Sequence, residues 1–206
     1  AQLLLYARRL MDYATDRDII PANPLAGLKP GSIQVKGKRN PLMAVTRTRI
    51  LDHDEIRTFW SVAEVCGIHR LTALCLKLIL VTGQRPGEVR GIQESEIEGR
   101  CWTIAASRRG KTETAHNVYL TDTALKILAD AKDEVNRLNK RRNVPWSGYF
   151  FETRPGKSIS KSGNARAVQR FCEAMGNKVD ERWGNWTPHD LRRTMRTGLS
   201  ACRVRP

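Results

Sequence analysis

The 206-residue sequence lacks the features of a membrane, secreted or metal-binding protein. It has no run of about 18 apolar residues, and its first residues lack the basic, apolar and small-residue zones of a signal peptide. The five cysteines are odd in number and form no C-x-x-C pair, which is typical of reduced thiols in a cytoplasm. Cys66 and His69 could form half of a zinc site, but no residue near them completes it. We therefore expect a cytoplasmic protein without a metal site.

Acidic residues are scarce relative to basic ones. There are 21 Asp and Glu residues against 36 Lys and Arg residues, which gives a formal net charge of +15. This excess favours a polyanionic partner, nucleic acid above all, although a basic protein without such a partner has the same composition. The hydrophobic fraction of 40% allows one good core and a small second unit.

Hydrophobic patterning divides the chain into three parts. Residues 1–28 contain a predicted helix from Gln2 to Thr15 and a turn at PANP. Residues 29–48 have Pro, Gly and basic residues with little apolar periodicity, which is typical of an exposed linker. Residues 49–206 are strongly patterned, and we expect them to form one domain.

The third part is predicted to be mainly helical with one antiparallel β-hairpin, an α+β fold. Asp52 and Glu55 have the spacing of a capping box, and the segment 71–81 is almost wholly apolar, as in a buried central helix that ends at Thr82 and Gly83. Alternating residues on both sides of a basic tip predict a hairpin within 101–120. Further helices are predicted from Pro86, from Thr121, over Asn164–Met175 and from Thr187.

The last predicted helix has a histidine and several arginines on one side. Thr187, Pro188 and Asp190 suit its first turn. A helix N-terminus carries partial positive charge and free N–H groups, so this side could bind a phosphate. A solvated amphipathic helix also has a charged side, and H-x-x-R is common by chance. The residues on the basic side are His189, Arg192, Arg193 and Arg196.

Two further motifs precede that helix. In TGQRPGEV, Arg85 directly follows the buried helix, where an arginine needs an anionic partner, and Glu88 could orient its guanidinium. The alternative is a purely structural Arg85–Glu88 pair at the i,i+3 spacing. In GKTETAH, Lys111 is at the tip of the predicted hairpin, where it could also be an ordinary solvated lysine.

Taken in order, these motifs resemble the tyrosine recombinases, and within them the phage and prophage integrases. The catalytic domain of that family has T-G-x-R-x-x-E, here TGQRPGE, then a lysine on a β-hairpin, here in RRGKTETAH, then H-x-L-R-x-T, matched by HDLRRT. The segments LLLYARRLMDYA, ANPLAGL and LDHDEIRTFW are similar to the end of the helical core-binding domain, the linker and the first capped helix. The resemblance spans essentially the whole chain.

The resemblance implies the tyrosine recombinase catalytic-domain fold and a DNA strand transfer through a 3′-phosphotyrosyl intermediate, without a metal or another cofactor. Arg85, Lys111, His189 and Arg192 would be catalytic and Glu88 supporting. Lys111 would protonate the leaving 5′-oxygen, and His189 would donate to a phosphate oxygen or accept the proton of the nucleophile. The residues expected to contact DNA are Arg108, Arg109, Arg193 and Arg196. The implied partner is a double-stranded DNA attachment site of a mobile element, held by a homotetramer.

The sequence departs from the family at two points. The nucleophilic tyrosine of the family lies several dozen residues beyond the H-x-x-R helix, whereas all four tyrosines here, Tyr6, Tyr13, Tyr119 and Tyr149, precede it. We therefore expect the nucleophile to be absent from this chain and the catalytic domain to be C-terminally truncated. Arg203 stands where integrases commonly have glycine, which costs about 1 kcal/mol if the backbone there has a positive φ.

Two alternatives to an integrase fragment stay open. One is a non-catalytic DNA-binding remnant of an integrase, which would keep the basic surface without the chemistry. The other is an unrelated phosphoryl-transfer enzyme in which His189 is the nucleophile.

Overall fold

A computed structural model of the chain describes residues 2–29, 48–109, 114–176 and 186–203. The chain divides into two units, Ala1–Thr48 and Arg49–Pro206. In the described residues no helix is both long and apolar enough to cross a membrane. Of the predicted linker at 29–48, only the first and last residues are described. Lys111 lies outside the described residues.

The first unit contains helix α1 (Gln2–Asp16), one residue longer than the pattern predicts. The PANP turn folds back on this helix, because Arg8 Nε donates to the main-chain oxygen of Leu25 at 3.0 Å. Asn23 Nδ2 donates to Asp12 Oδ1 at 2.5 Å and so holds the turn from the other side. These bonds give a short segment a defined conformation without a large core.

The second unit is mainly helical with two small antiparallel sheets, which confirms the predicted fold class. Its helices are α2 (His53–Val62), α3 (Arg70–Thr82), α4 (Pro86–Arg90), α5 (Asp122–Arg142), α6 (Lys161–Gly176) and α7 (Pro188–Ala201). Its strands are β1 (Ile97–Glu98), β2 (Cys101–Ile104), β3 (His116–Tyr119), β4 (Glu152–Arg154) and β5 (Lys157–Ser158).

Helix α3 is the centre of the core. Every residue from 71 to 80 is buried, as its apolar sequence predicts, and α3 packs against α4, α5, α6 and α7. Its C-cap Gly83 has φ +61°, in the left-handed region that glycine adopts without strain. The chain therefore leaves the core abruptly at this residue and begins α4 three residues later.

The predicted hairpin forms, and a third strand extends it. The strand order is β1-β2-β3, with Trp102 opposite Val118 and Ile104 opposite His116. The separate β4-β5 hairpin was not predicted, although its P-G turn is a recognisable signal. GYFF is a turn region, in which Tyr149 makes an isolated bridge with Gln93.

Helix α7 begins at an aromatic cluster of Phe59, Phe171 and Trp186. The three rings meet edge to face with centroids 5.5 to 5.8 Å apart, which joins α2 and α6 to the residue two positions before α7. Thr194, six residues after the start of α7, accepts from the main-chain N–H of Leu51 at 2.9 Å. The first half of α7 is therefore fixed on the core from two sides.

Helix caps follow the sequence closely. The capping box between Asp52 and Glu55 is present, with each main-chain N–H donating to the other residue's carboxylate at 2.8 Å. Asp190 accepts from both the N–H and the hydroxyl of Thr187, at 2.8 and 2.9 Å. Arg203 has φ +58°, so an arginine does occupy a position that favours glycine.

Two glycine substitutions separate backbone strain from packing. Gly83 and Gly99 both have positive φ, but a Cβ on Gly83 would lie 3.1 Å from Met195 Cγ, whereas one on Gly99 meets no atom within 4 Å. We expect Gly83→Ala to lower the free energy of unfolding by about 1 kcal/mol more than Gly99→Ala does. Urea denaturation of both variants measures this difference, and equal losses would mean that α7 yields freely at Met195.

Candidate phosphate-binding site

Arg85 is held by one buried carboxylate. Its main-chain N–H donates to Glu88 Oε2 at 2.9 Å, and its Nη1 donates to Glu88 Oε1 at 2.7 Å. The side chain of Glu88 is 2% exposed and that of Arg85 is 45% exposed. The pair that the i,i+3 spacing suggested therefore forms, and it fixes the guanidinium while leaving much of it accessible to a ligand.

Arg192, on helix α7, contacts the same turn. Its Nη1 donates to the main-chain oxygen of Gly83 at 2.6 Å, although the two residues are 109 positions apart. Arg192 is half-buried on the first turns of α7. Because Gly83 and Arg85 belong to one turn, this bond brings Arg192 close to Arg85, and both side chains line a common space.

That space is a cleft of about 170 Å³, which we call the arginine cleft. Its lining residues are Thr82, Gly83, Gln84, Arg85, Arg109, His116, Arg192, Arg196 and Leu199. The lining therefore brings together four arginines from three parts of the chain. A planar guanidinium can offer two parallel N–H groups to the oxygens of a phosphate, so such a lining suits that ligand.

The positive charges in the cleft affect one another. The pKa of Arg192 is lowered, first by burial and then by the nearby charges of Arg196 and Arg85, while Glu88 acts in the opposite direction. Like charges held this closely repel one another unless an anion lies between them. The electrostatics of the cleft thus favour an anionic ligand.

His189 lies beside the arginine cleft and does not line it. It lines a second cavity of about 430 Å³ on the outer face of α7, which we call the α7 pocket, with Arg192, Arg193, Arg196, Thr197 and Ser200. Arg192 and Arg196 line both cavities, so the two cavities adjoin at these residues. The pKa of His189 is lowered, first by burial and then by Arg192, which favours the neutral imidazole near pH 7.

The arginines expected to contact DNA occupy different environments. Arg109 lines the arginine cleft, and its Nη1 donates to the main-chain oxygen of Thr114 at 2.8 Å. Arg196 is exposed at the edge of both cavities. Arg193 pairs with the buried Asp190 and also donates to the main-chain oxygen of Arg49 at 3.3 Å, so it ties the start of α7 to the chain before α2.

Arg108 is turned inward. Its Nη2 donates to the main-chain oxygen of Glu88 at 2.6 Å, and its Nη1 pairs with Glu96. Both terminal nitrogens therefore donate within the protein, and the bond to Glu88 connects the start of the β2–β3 connection to α4. DNA contact by Arg108 stays a prediction, and Lys111, two positions after Arg109, lies outside the described residues.

His116 is a cleft residue that the motifs did not identify. It belongs to β3, where His116 and Val118 lie on the inner face and Asn117 and Tyr119 on the outer face, as their burial shows. The signal in the sequence is a histidine two positions before a buried valine, at a place where the alternation calls for an inward side chain. Among the described residues, no group of three or more His, Cys, Asp or Glu side chains could hold a metal ion.

Known proteins similar to this chain are found both by family and by structure. The model of the phage integrase family matches residues 49–203. The Tn1549 transposon integrase, solved with circular intermediate DNA, is similar with a TM-score of 0.62 at 13% identity, over 97% of this chain and 65% of that chain. XerH site-specific recombinase, solved with its difH substrate in a pre-cleavage complex, has a TM-score of 0.54 at 21% identity, over 75% of this chain and 43% of that one. XerA recombinase has a TM-score of 0.53 at 19% identity, over 77% and 53%.

At these identities the structural likeness shows the fold. This chain spans at most 65% of the length of each of these three proteins. No curated protein matches it.

The buried carboxylate of Glu88 gives a direct test of how the cleft is held. In Glu88→Gln an amide N–H would face the donors of Arg85, so we expect the free energy of unfolding to fall by about 2 kcal/mol. Glu94→Gln is the matched control, because its 2.6 Å pair with Lys132 is exposed on both sides and should contribute less than about 1 kcal/mol. Urea denaturation of both variants measures the difference. Similar losses would mean that Arg85 does not depend on Glu88.

Proposed function

The chain belongs to the phage integrase family, and on that basis we propose that it is the part of a site-specific DNA recombinase in which the arginine cleft binds the scissile phosphate, and that it does not cleave DNA without the nucleophilic tyrosine. The observation that carries the proposal is the bond from Arg192 to Gly83, which sets Arg85 and Arg192 across one cleft. The substrate would be a double-stranded DNA attachment site of a mobile element, acted on in a bacterial cytoplasm. A homotetramer would hold two such sites.

The arginines suit the transition state of phosphoryl transfer. As a nucleophilic oxygen bonds to phosphorus and the bond to the 5′-oxygen breaks, negative charge spreads over the non-bridging oxygens. Arg85 and Arg192 would bind those oxygens from either side, and their permanent charges would do the work for which other enzymes use a metal. Glu88 would keep Arg85 in place throughout, since both of its carboxylate oxygens accept from that residue.

The remaining proposed roles concern proton transfer. In this scheme a tyrosine outside these 206 residues attacks the phosphate and forms a 3′-phosphotyrosyl link, and Lys111 gives its proton to the leaving 5′-oxygen. His189, which lines the adjoining α7 pocket, would donate to a phosphate oxygen or accept the proton of the tyrosine. Its lowered pKa supports the second role, because a neutral imidazole can accept a proton. No cofactor takes part in these steps.

The arginine cleft predicts how DNA binding depends on salt. If the cleft and the basic residues around it together neutralise about four phosphates of the duplex, the affinity should fall roughly a hundredfold for a fourfold rise in salt. Arg196→Gln should reduce the slope of log K against log salt by about 1, whereas Arg166→Gln, an exposed arginine of α6 outside the cleft, should leave it unchanged. Fluorescence anisotropy with a labelled duplex gives both slopes, and an affinity independent of salt would rule out the proposed phosphate contacts.

Cleavage itself is tested in a protein extended by its natural downstream codons. On a nicked duplex carrying the DNA that flanks the gene, the extended protein should form a covalent adduct that survives a denaturing gel. Arg192→Gln should abolish the adduct and leave DNA affinity nearly intact, because the charge of Arg192 matters most in the transition state. Arg166→Gln should leave both unchanged.

Two outcomes would contradict this scheme. Equal loss of affinity and cleavage in Arg192→Gln would make Arg192 a simple backbone contact. DNA binding without any adduct, or a downstream segment without a tyrosine, would favour the non-catalytic remnant instead.

A further inference from the structure

His116 stands where the core of the domain meets the arginine cleft. Along the inner face of the hairpin, Trp102 pairs with the buried Val118, and Ile104, fully buried, pairs with His116. On β3, the inward-facing residue nearer the hairpin tip is therefore not apolar. It is His116, whose imidazole is half-buried and lines the cleft. A polar ring on an inward-facing position needs a polar partner, and the cleft is where that partner would bind.

Charged groups from three neighbouring segments act on this imidazole. Arg109 follows β2, Arg85 and Glu88 belong to the α4 turn, and Arg192 lies on α7. Arg196, also on α7, completes the lining. Among the described residues, His116 thus shares the cleft with four guanidiniums, and the carboxylate that acts on it, Glu88, is already bonded to Arg85.

We propose that His116 is a phosphate-contacting residue of the arginine cleft, and that it takes up a proton from solvent when the phosphate binds. The ligand class is a phosphate group or another tetrahedral oxyanion, and the identification of that phosphate as one in DNA rests on the proposed function. Once protonated, the ring donates an N–H to a non-bridging oxygen alongside Arg85 and Arg192.

The empty cleft favours the neutral ring. The pKa of His116 is lowered, first by burial, then by Arg109, with further lowering from Arg192 and Arg85, while Glu88 raises it. A bound phosphate acts in the opposite direction, because its negative charge stabilises a protonated ring close to it. The imidazole therefore supplies positive charge when the ligand is present and avoids adding to the repulsion when it is not.

Proton uptake and phosphate binding must then strengthen each other. By linkage, a ligand that raises the pKa of a group binds more tightly at a pH where that group is protonated. If the phosphate raises the pKa of His116 by about one unit, affinity should increase about tenfold on passing from the neutral to the protonated ring. An arginine or lysine at this position would be charged in both states and could not produce that dependence.

Two measurements on the 206-residue chain test this proposal. The first follows the imidazole signals of His116 by NMR from about pH 5 to about pH 8, the range in which histidines titrate, with and without sulfate. Sulfate is a tetrahedral dianion that does not itself titrate in this range. We expect sulfate to move the His116 titration to higher pH.

The second measurement follows sulfate and duplex DNA affinity over the same pH range in three variants. His116→Asn should lose most of the roughly tenfold rise in affinity toward low pH. His53→Asn, an exposed histidine outside the cleft, should keep it, and His189→Asn reports the share that arises in the α7 pocket. Because the NMR titration uses the unsubstituted protein, the proposal stays testable even if His116→Asn fails to fold.

The outcomes separate this inference from the proposed function. A His116 titration that sulfate leaves unchanged, or a full pH dependence in His116→Asn, would overturn the inference while DNA binding and the recombinase proposal stand. If the unsubstituted chain showed no salt-sensitive binding to duplex DNA, that result would contradict the proposed function. A sulfate-dependent shift in that case would still support His116 as an oxyanion contact.

Discussion

The hydrogen bond from Arg192 Nη1 to the main-chain oxygen of Gly83 joins the two halves of the candidate site. The oxygen is accessible because α3 ends in a left-handed residue, which turns the chain away from the helix axis. The same glycine lets α7 come close, since a Cβ there would lie 3.1 Å from Met195 Cγ. The position of Arg85 and Arg192 in one cleft therefore depends on a residue with no side chain, Gly83, at the end of the most buried helix.

The arrangement that suits a phosphate is unfavourable without one. Burial and the neighbouring guanidiniums both lower the pKa of Arg192, because both disfavour its charged form. The rest of the fold compensates, through the apolar α3 and the aromatic cluster that fixes the start of α7. An anion that binds the folded state and not the unfolded state would raise the free energy of unfolding. Such a conflict between local electrostatics and the fold is expected at functional sites.

The sequence predicts those features that depend on neighbouring residues. The capping box at Asp52, the buried run of α3 and the stop at Gly83 are local signals, and all three are confirmed. The motif order also indicated Arg85 and Arg192, because their roles are tied to recognisable turns and helix starts. The inward turn of Arg108 and the entry of His116 into the cleft depend on contacts between residues distant in sequence, and no local pattern records them.

Glu88 shows how such distant contacts organise the site. Its carboxylate holds Arg85, and its main-chain oxygen accepts from Arg108, 20 positions further along, so one residue of α4 is bonded to both the turn before α4 and the start of the β2–β3 connection. Gly91 makes room for this bond, because a Cβ there would lie 2.8 Å from Arg108 Nη2. With Arg108 directed inward, the next residue, Arg109, lines the cleft. The Arg108–Glu88 bond therefore fixes the start of the connection between β2 and β3, and Lys111, the proposed proton donor, belongs to that connection.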